Sequence, residues 1–274
     1  MTGDGPHAPS YTALILAGRR DPDDPVADGM RRRHKAMVPV AGVPMLVRVL
    51  RTVRAVRQVE HILVAIDEPN AFDAPEIRQL AAADVVRRAE CGPSPSATVL
   101  RCLGDPGTTL PLLVTTADHP LLLPAMVEHF CAAAAATGAD VVVGTVPASV
   151  LRARYPQSRR TVIRLREDGF KGANLFAFMT PAGAAAARFW ARAEAVRKRP
   201  WRLVGLFGLP TLALFLLRRL DLDAALARAS RIMGARVAAV IMPFAECAID
   251  VDGPADMALA LRILEEREER VAAP

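Results

Sequence analysis

Short apolar runs alternate along the chain with longer stretches whose apolar residues recur every three or four positions. Ala13-Leu-Ile-Leu16, His61-Ile-Leu-Val-Ala-Ile66, Leu110-Pro-Leu-Leu-Val-Thr-Thr116, 140–146, 174–179 and 236–242 predict strands, the first of them apolar on both faces, as in a central parallel strand. Between them, 44–56, 74–82, 97–103, 124–136, 182–197 and 221–233 predict helices, and Pro254 suits the start of a last one. A short strand is expected at Asp84-Val85-Val86 and an extended stretch at 161–166. This β-α-β alternation predicts an α/β fold: a Rossmann-like, mixed and mostly parallel sheet flanked by helices. Asp168-Gly169 predicts a hairpin turn, which makes the sheet mixed.

At 274 residues, 52% of them apolar, the chain can bury a sizeable core, and most of it is not disordered. Residues 1–10, MTGDGPHAPS, are polar and lack a signal-peptide core, so they are expected to form a mobile tail. Residues 11–274 are expected to be a single domain with a helical, apolar insertion at about 197–234. Cys91, Cys102, Cys131 and Cys247 form no Cys-x-x-Cys pair, which argues against a zinc site or disulfide framework and suits a reducing cytoplasm. The net charge of +6 favours anionic ligands, while 5% aromatic residues supply no stacking platform, so no nucleic-acid partner is expected.

The chemistry concentrates in Tyr11–Leu46, a strand followed by Ala17-Gly18, a loop carrying Arg19, Arg20, Arg31, Arg32, Arg33, His34 and Lys35, and a helix start at Pro44. A glycine at a strand end lets phosphate approach backbone N–H groups, and the cations can face a polyanion. By spacing alone, the same glycine also serves as a plain turn and the basic run as a solvated loop.

Leu16-Ala17-Gly18-Arg19, followed by His34-Lys35-Ala36-Met37-Val38-Pro39-Val40-Ala41-Gly42-Val43-Pro44, resembles the signature of nucleotidyltransferases of the molybdenum cofactor guanylyltransferase type and their sugar-nucleotide pyrophosphorylase relatives. The resemblance implies a glycosyltransferase-A-like fold, with Leu16, Ala17 and Gly18 wrapping a nucleoside triphosphate and Arg19 and Lys35 neutralising it. The loop here is longer than in the family and lacks the second small residue before its Arg, so which Arg meets phosphate stays open.

Thr116-Ala-Asp-His-Pro-Leu-Leu122 resembles the family's Thr-x-Asp-x-Pro-Leu stretch, which implies that Asp118 binds a divalent metal, Mg²⁺ or Mn²⁺. Hard cations of this kind take oxygen ligands and share them with phosphates. Ala248-Ile-Asp-Val-Asp252-Gly-Pro resembles the closing stretch of the family; Asp250 and Asp252 alternate along an extended segment and so point toward one metal or one loop. Asp256, in the first turn of the last helix, reads as dipole compensation. The resemblance further makes Ser94, Ser96 and Thr98 candidates for base and ribose contacts, with Ser96 equally a simple helix cap. Lys171 and Asn174 are candidates for the acceptor phosphate, with an exposed hairpin lysine as the alternative.

The function expected is metal-dependent transfer of a nucleoside monophosphate from a nucleoside triphosphate, GTP or CTP favoured, to a small phosphorylated acceptor with release of pyrophosphate. A glycosyltransferase using a sugar nucleotide on the same fold is one alternative, and a non-catalytic nucleotide-binding or membrane-surface scaffold another. The least family-like stretch is 197–219, apolar from Leu203 to Leu217 between basic flanks. It falls short of the roughly 20 residues that span a bilayer. Packing on the core, a homodimer interface and peripheral membrane contact through 200–220 are its three readings.

Overall fold

A computed structural model of the protein describes residues 9–18, 26, 34–68, 70–81, 85–158, 160–196 and 208–272. Its strands in chain order are β1 (Tyr11–Leu16), β2 (Pro39–Val40), β3 (Val43–Pro44), β4 (Val59–Ala65), β5 (Val86–Ala89), β6 (Leu112–Thr116), β7 (Val141–Pro147), β8 (Ile163–Arg164), β9 (Gly169–Phe178) and β10 (Val237–Ile241). All but β2 and β3 form one 8-stranded sheet of order β10-β7-β9-β6-β1-β4-β5, with β8 paired to β9. β1 lies inside this sheet, parallel to β4 and β6, because it is apolar on both faces: Ala13 and Ile15 join one core, Leu14 the other.

Helices α1 (Met45–Arg54), α2 (Pro75–Ala81), α4 (Pro124–Thr137) and α9 (Pro254–Ala272) cover the Ile15 face with Leu46, Ile77, Phe130 and Ala260. The opposite face is covered by α3 (Pro95–Gly104) and α6 (Ala184–Val196), through Val99, Cys102, Ala186 and Ala187. The remaining helices among the described residues are α5 (Ala148–Arg154), α7 (Leu209–Leu216) and α8 (Leu222–Met233). α5 was not foreseen: its seven residues fall in a region that the apolar pattern leaves blank.

The expected antiparallel strand is longer than its sequence suggested. The turn runs from Leu165, whose N–H bonds the Asp168 carbonyl at 2.9 Å, so β9 already begins at Gly169 rather than near Asn174. β9 then inserts between β6 and β7, antiparallel to both. At α3 the cap is Ser94, which accepts from the Ala97 N–H, and not Ser96; Pro95 takes the first turn, where its missing N–H costs nothing.

Within the expected apolar insertion, 197–207 lies outside the described residues. α7 leaves Leu216 69% and Leu217 65% exposed beside Arg218 and Arg219. Among the described residues no helix is long and apolar enough to cross a membrane.

The sequence offers Asp221 and Asp223 as caps for α8, and the structure selects Asp221, which accepts from the Ala224 N–H at 2.7 Å, while Gly234 closes the helix in the left-handed region. Asp221→Ala should therefore cost about 1 kcal/mol in urea denaturation. Asp223→Ala, which removes only a favourable charge from the first turn, should cost no more than about 0.5 kcal/mol.

Candidate active site

The C-terminal ends of β1, β4, β5 and β6 open onto one cleft of about 410 Å³, where an open α/β sheet binds its ligand. Leu16, Ala17 and Gly18 form its floor, with Ala65, the Cys91–Pro95 loop and Thr116–Asp118 beside them. At Gly18, a Cβ would meet, among the described residues, only Cys91 Sγ at 3.5 Å, an ordinary contact. Gly92 is demanded, because a Cβ would come within 2.7 Å of the Thr98 nitrogen, where the loop presses on the first turn of α3. Arg19, the expected loop cation, lies outside the described residues, as do Arg20 and 31–33.

The chain re-enters the site at His34, which is 2% exposed. Its Nδ1 accepts from the Ala36 N–H at 3.2 Å, which leaves the proton on Nε2, 2.7 Å from Asp67 Oδ1. His34 thereby caps the short 3₁₀ turn Lys35–Met37 and fixes where Lys35 starts. The chain then reverses through β2 and β3 at Ala41 and Gly42, both at positive φ (46° and 74°), before entering α1.

Lys35 Nζ donates to Asp118 Oδ2 at 3.2 Å and to Asp252 Oδ1 at 2.9 Å. Burial alone would lower the pKa of this ammonium, but the charge of Asp118 and the hydrogen bond and charge of Asp252 outweigh it and raise the pKa above the ordinary lysine value. The two acid-bearing loops are tied together by the Val251 N–H, which donates to the Asp118 carbonyl at 2.9 Å. His119, next to Asp118, is fully buried and anchors that loop by donating from Nε2 to the Glu246 carbonyl at 3.1 Å; burial lowers its pKa and keeps it neutral. Asp118 Oδ1 and Thr116 Oγ1 are buried with no hydrogen-bond partner among the described residues.

Asp250 and Asp252 do not converge on one point. The helix begins only at Pro254, and the two carboxylates have separate partners. Asp252, 62% exposed, meets Lys35, and its own N–H is held by Asp256 Oδ2 at 3.0 Å. Asp250 is buried and committed elsewhere: Arg160 pairs with its carboxylate, Lys171 Nζ lies at 3.4 Å and Asn174 Nδ2 at 3.3 Å. Burial opposes the ionised form of Asp250, yet Lys171 and Arg160 prevail and hold its pKa below the ordinary value. Arg160 also bonds the Asp250 carbonyl and Asp256 Oδ1, both at 2.7 Å. Asp256 is thus more than dipole compensation, because it braces both Asp252 and Arg160. Lys171 is not an exposed hairpin lysine, and neither it nor Asn174 lines the cleft; Asn174 sits at φ 51°. Arg160 was missed by sequence reasoning, since a basic pair at 159–160 carries no local sign of a buried partner ninety residues on.

The Ser94–Thr98 hydroxyls are engaged locally. Thr98 Oγ1 accepts from the Gly92 N–H at 2.9 Å and donates to the Ser94 carbonyl at 3.1 Å. Ser96 is buried, outside the cleft lining, and donates to Glu194 Oε2 at 2.5 Å. Ser94 and Thr98 line the cleft as well as shaping its loop.

A family model described as MobA-like NTP transferase domain matches residues 13–204. Among solved structures, a hypothetical transferase from Thermus thermophilus is 30% identical, with a TM-score of 0.74 and coverage of 90% of this chain and 99% of that one. A 4-diphosphocytidyl-2C-methyl-D-erythritol synthase from Anaerococcus prevotii shares the fold at 13% identity and TM-score 0.58, covering 94% and 97%. A 2-C-methyl-D-erythritol 4-phosphate cytidylyltransferase from Thermus thermophilus shares it at 19% and 0.53, covering 93% and 99%. No curated protein matches the sequence.

The Asp250 cluster makes a pH-dependent contribution to stability. Its carboxyl has a folded-state pKa below the ordinary 3.8, so its contribution is present above that value and lost as the pH falls through the depressed folded value. Asp250→Asn, which leaves Arg160 without its buried counter-charge, should lower stability by about 3 kcal/mol at pH 7. Thermal melts of both proteins from pH 7 downward should show the gap closing only below about 3.8. A constant gap would contradict the charge argument.

Proposed function

The chain belongs to the family of MobA-like NTP transferase domains and is in that general sense a nucleotidyltransferase; we propose that it joins the nucleoside monophosphate of a nucleoside triphosphate, GTP or CTP, to a small phosphorylated acceptor. An acceptor oxygen attacks the α-phosphorus, the new O–P bond forms as the bond to the β-phosphate oxygen breaks, and pyrophosphate leaves. The observation that carries this reading is Lys35 Nζ lying between Asp118 and Asp252 at the end of the cleft.

Those two acids fit a divalent cation, Mg²⁺ or Mn²⁺. Among the described residues Asp118 keeps one buried oxygen without a hydrogen bond, and Asp252 is open to the cleft. Two carboxylates are a partial shell, and a hard cation takes the rest of its oxygen ligands from phosphate and water. When bound, such an ion neutralises charge on the phosphates. The chain's own residues do the rest. Lys35 places its ammonium against the triphosphate, the Leu16–Gly18 backbone and Thr116 hydroxyl border the phosphates, and His34 holds the turn that aims Lys35. Lys171 and Asn174 bond Asp250, two residues before Asp252, and so steady the segment that carries Asp252. Alignment and charge neutralisation, with no covalent intermediate, supply the acceleration.

The reading is tested by incubating the protein with Mg²⁺, each of the four common nucleoside triphosphates and a panel of phosphorylated sugars, polyols and hydroxy acids, with pyrophosphate release as the readout. Pyrophosphate should appear together with a nucleotide-linked product. Asp118→Ala should reduce turnover by at least about a hundredfold while leaving the melting temperature nearly unchanged. Nucleoside diphosphate released from a sugar nucleotide, without pyrophosphate, would instead identify a glycosyltransferase.

A further inference from the structure

Helix α6 presents Ala191, Glu194 and Ala195 to the cleft, a spacing that puts all three on one helical face. Nothing in the chemistry at Lys35 uses them. Their place follows from the sheet order: Asp118 follows β6, whereas the Ser94 loop follows β5, with β1 and β4 between them. Three inter-strand steps of about 4.8 Å separate these two ends of the cleft by roughly 14 Å. The β6 end holds Lys35, Asp118 and Asp252; the β5 end is walled by Cys91, Gly92 and Pro93 and by the small side chains flanking Glu194.

Glu194 is the charged residue among those that line this far end, where the others are small or uncharged. Its carboxylate is oriented from behind: Oε2 accepts from the fully buried Ser96 hydroxyl at 2.5 Å and lies 3.4 Å from the Ser96 nitrogen, and the Ser96 oxygen in turn sits 2.9 Å from Ser94 Oγ. Among the described residues Oε1 has no hydrogen bond. A held carboxylate only accepts, so it favours a base edge that offers donors. Uracil presents one N–H between two carbonyls; adenine and cytosine each present an amino group next to an acceptor nitrogen. Guanine alone of the common bases offers N1–H and an N2 amino hydrogen side by side, the two-pronged arrangement that an Arg fork offers a carboxylate.

Resting on the nucleotidyltransferase reading above, we propose that Glu194, positioned by Ser96, is the specificity-determining residue that reads the base, and that the base is guanine. A two-pronged contact of this kind discriminates by roughly tenfold to a hundredfold. Sequence reasoning placed base recognition on Ser94, Ser96 and Thr98; in the structure Ser96 acts behind Glu194.

The test measures dissociation constants for GTP, ITP, CTP and ATP by displacement of a fluorescent nucleotide, for the wild-type chain and for Glu194→Gln, with melting temperatures confirming the fold. ITP keeps N1–H but lacks the N2 amino group. Wild type should bind GTP at least about tenfold more tightly than ITP, CTP or ATP, and Glu194→Gln should lose most of the GTP-over-ITP preference by weakening GTP. A wild-type preference for a pyrimidine or for ATP, or an unchanged GTP-to-ITP ratio in the variant, would overturn the proposal. These constants need no acceptor, so failure to release pyrophosphate with any acceptor would count against the transferase reading and leave the base assignment to be decided by binding.

Discussion

The ammonium of Lys35 between the carboxylates of Asp118 and Asp252 is the contact on which the geometry of the site depends. Two acids brought together at a half-buried strand end repel one another unless a cation lies between them. The fold supplies that cation from a turn capped by the buried His34, and it joins the two acid loops by the bond from the Val251 N–H to the Asp118 carbonyl. Removing any of these supports loosens a constellation assembled from three distant parts of the chain.

A second, separate charge cluster stands behind the first. Arg160 and Lys171 are balanced by Asp250 and Asp256, and Asp256 also holds the backbone of Asp252. The segment before α9 therefore carries one acid for the cleft and one for the scaffold. Charge in the cleft is likewise divided: the Lys35 group suits a polyanion and its counter-ion, and Glu194, held by Ser96, suits a neutral donor group.

Much of this was legible in the sequence because it is written in local pattern. Apolar runs located the strands, and Lys35, Asp118 and Asp252 stood at strand ends or turns within motifs that resembled a known family. The rest depends on contacts that no local pattern carries. The hairpin at Asp168-Gly169 announced a mixed sheet, but not that β9 would insert between β6 and β7, a pairing between segments far apart in the chain. Arg160 and Glu194 look like ordinary polar residues until the fold brings Asp250 and Ser96 to them. Alternation left Asp250 and Asp252 open to one metal or one loop, and it could not show that Asp250 meets Arg160, Lys171 and Asn174 while Asp252 meets Lys35.

On the proposed function, Asp118 and Asp252, and not Asp250, hold the cation that accompanies the triphosphate. Electron paramagnetic resonance of Mn²⁺ titrated with the protein in the presence of GTP tests it most directly. Asp252→Asn should weaken Mn²⁺ binding by at least about tenfold relative to wild type, while Asp250→Asn, at neutral pH and below its melting temperature, should bind it nearly as well as wild type does. Equal losses in the two variants, or undiminished binding in Asp252→Asn, would contradict the account.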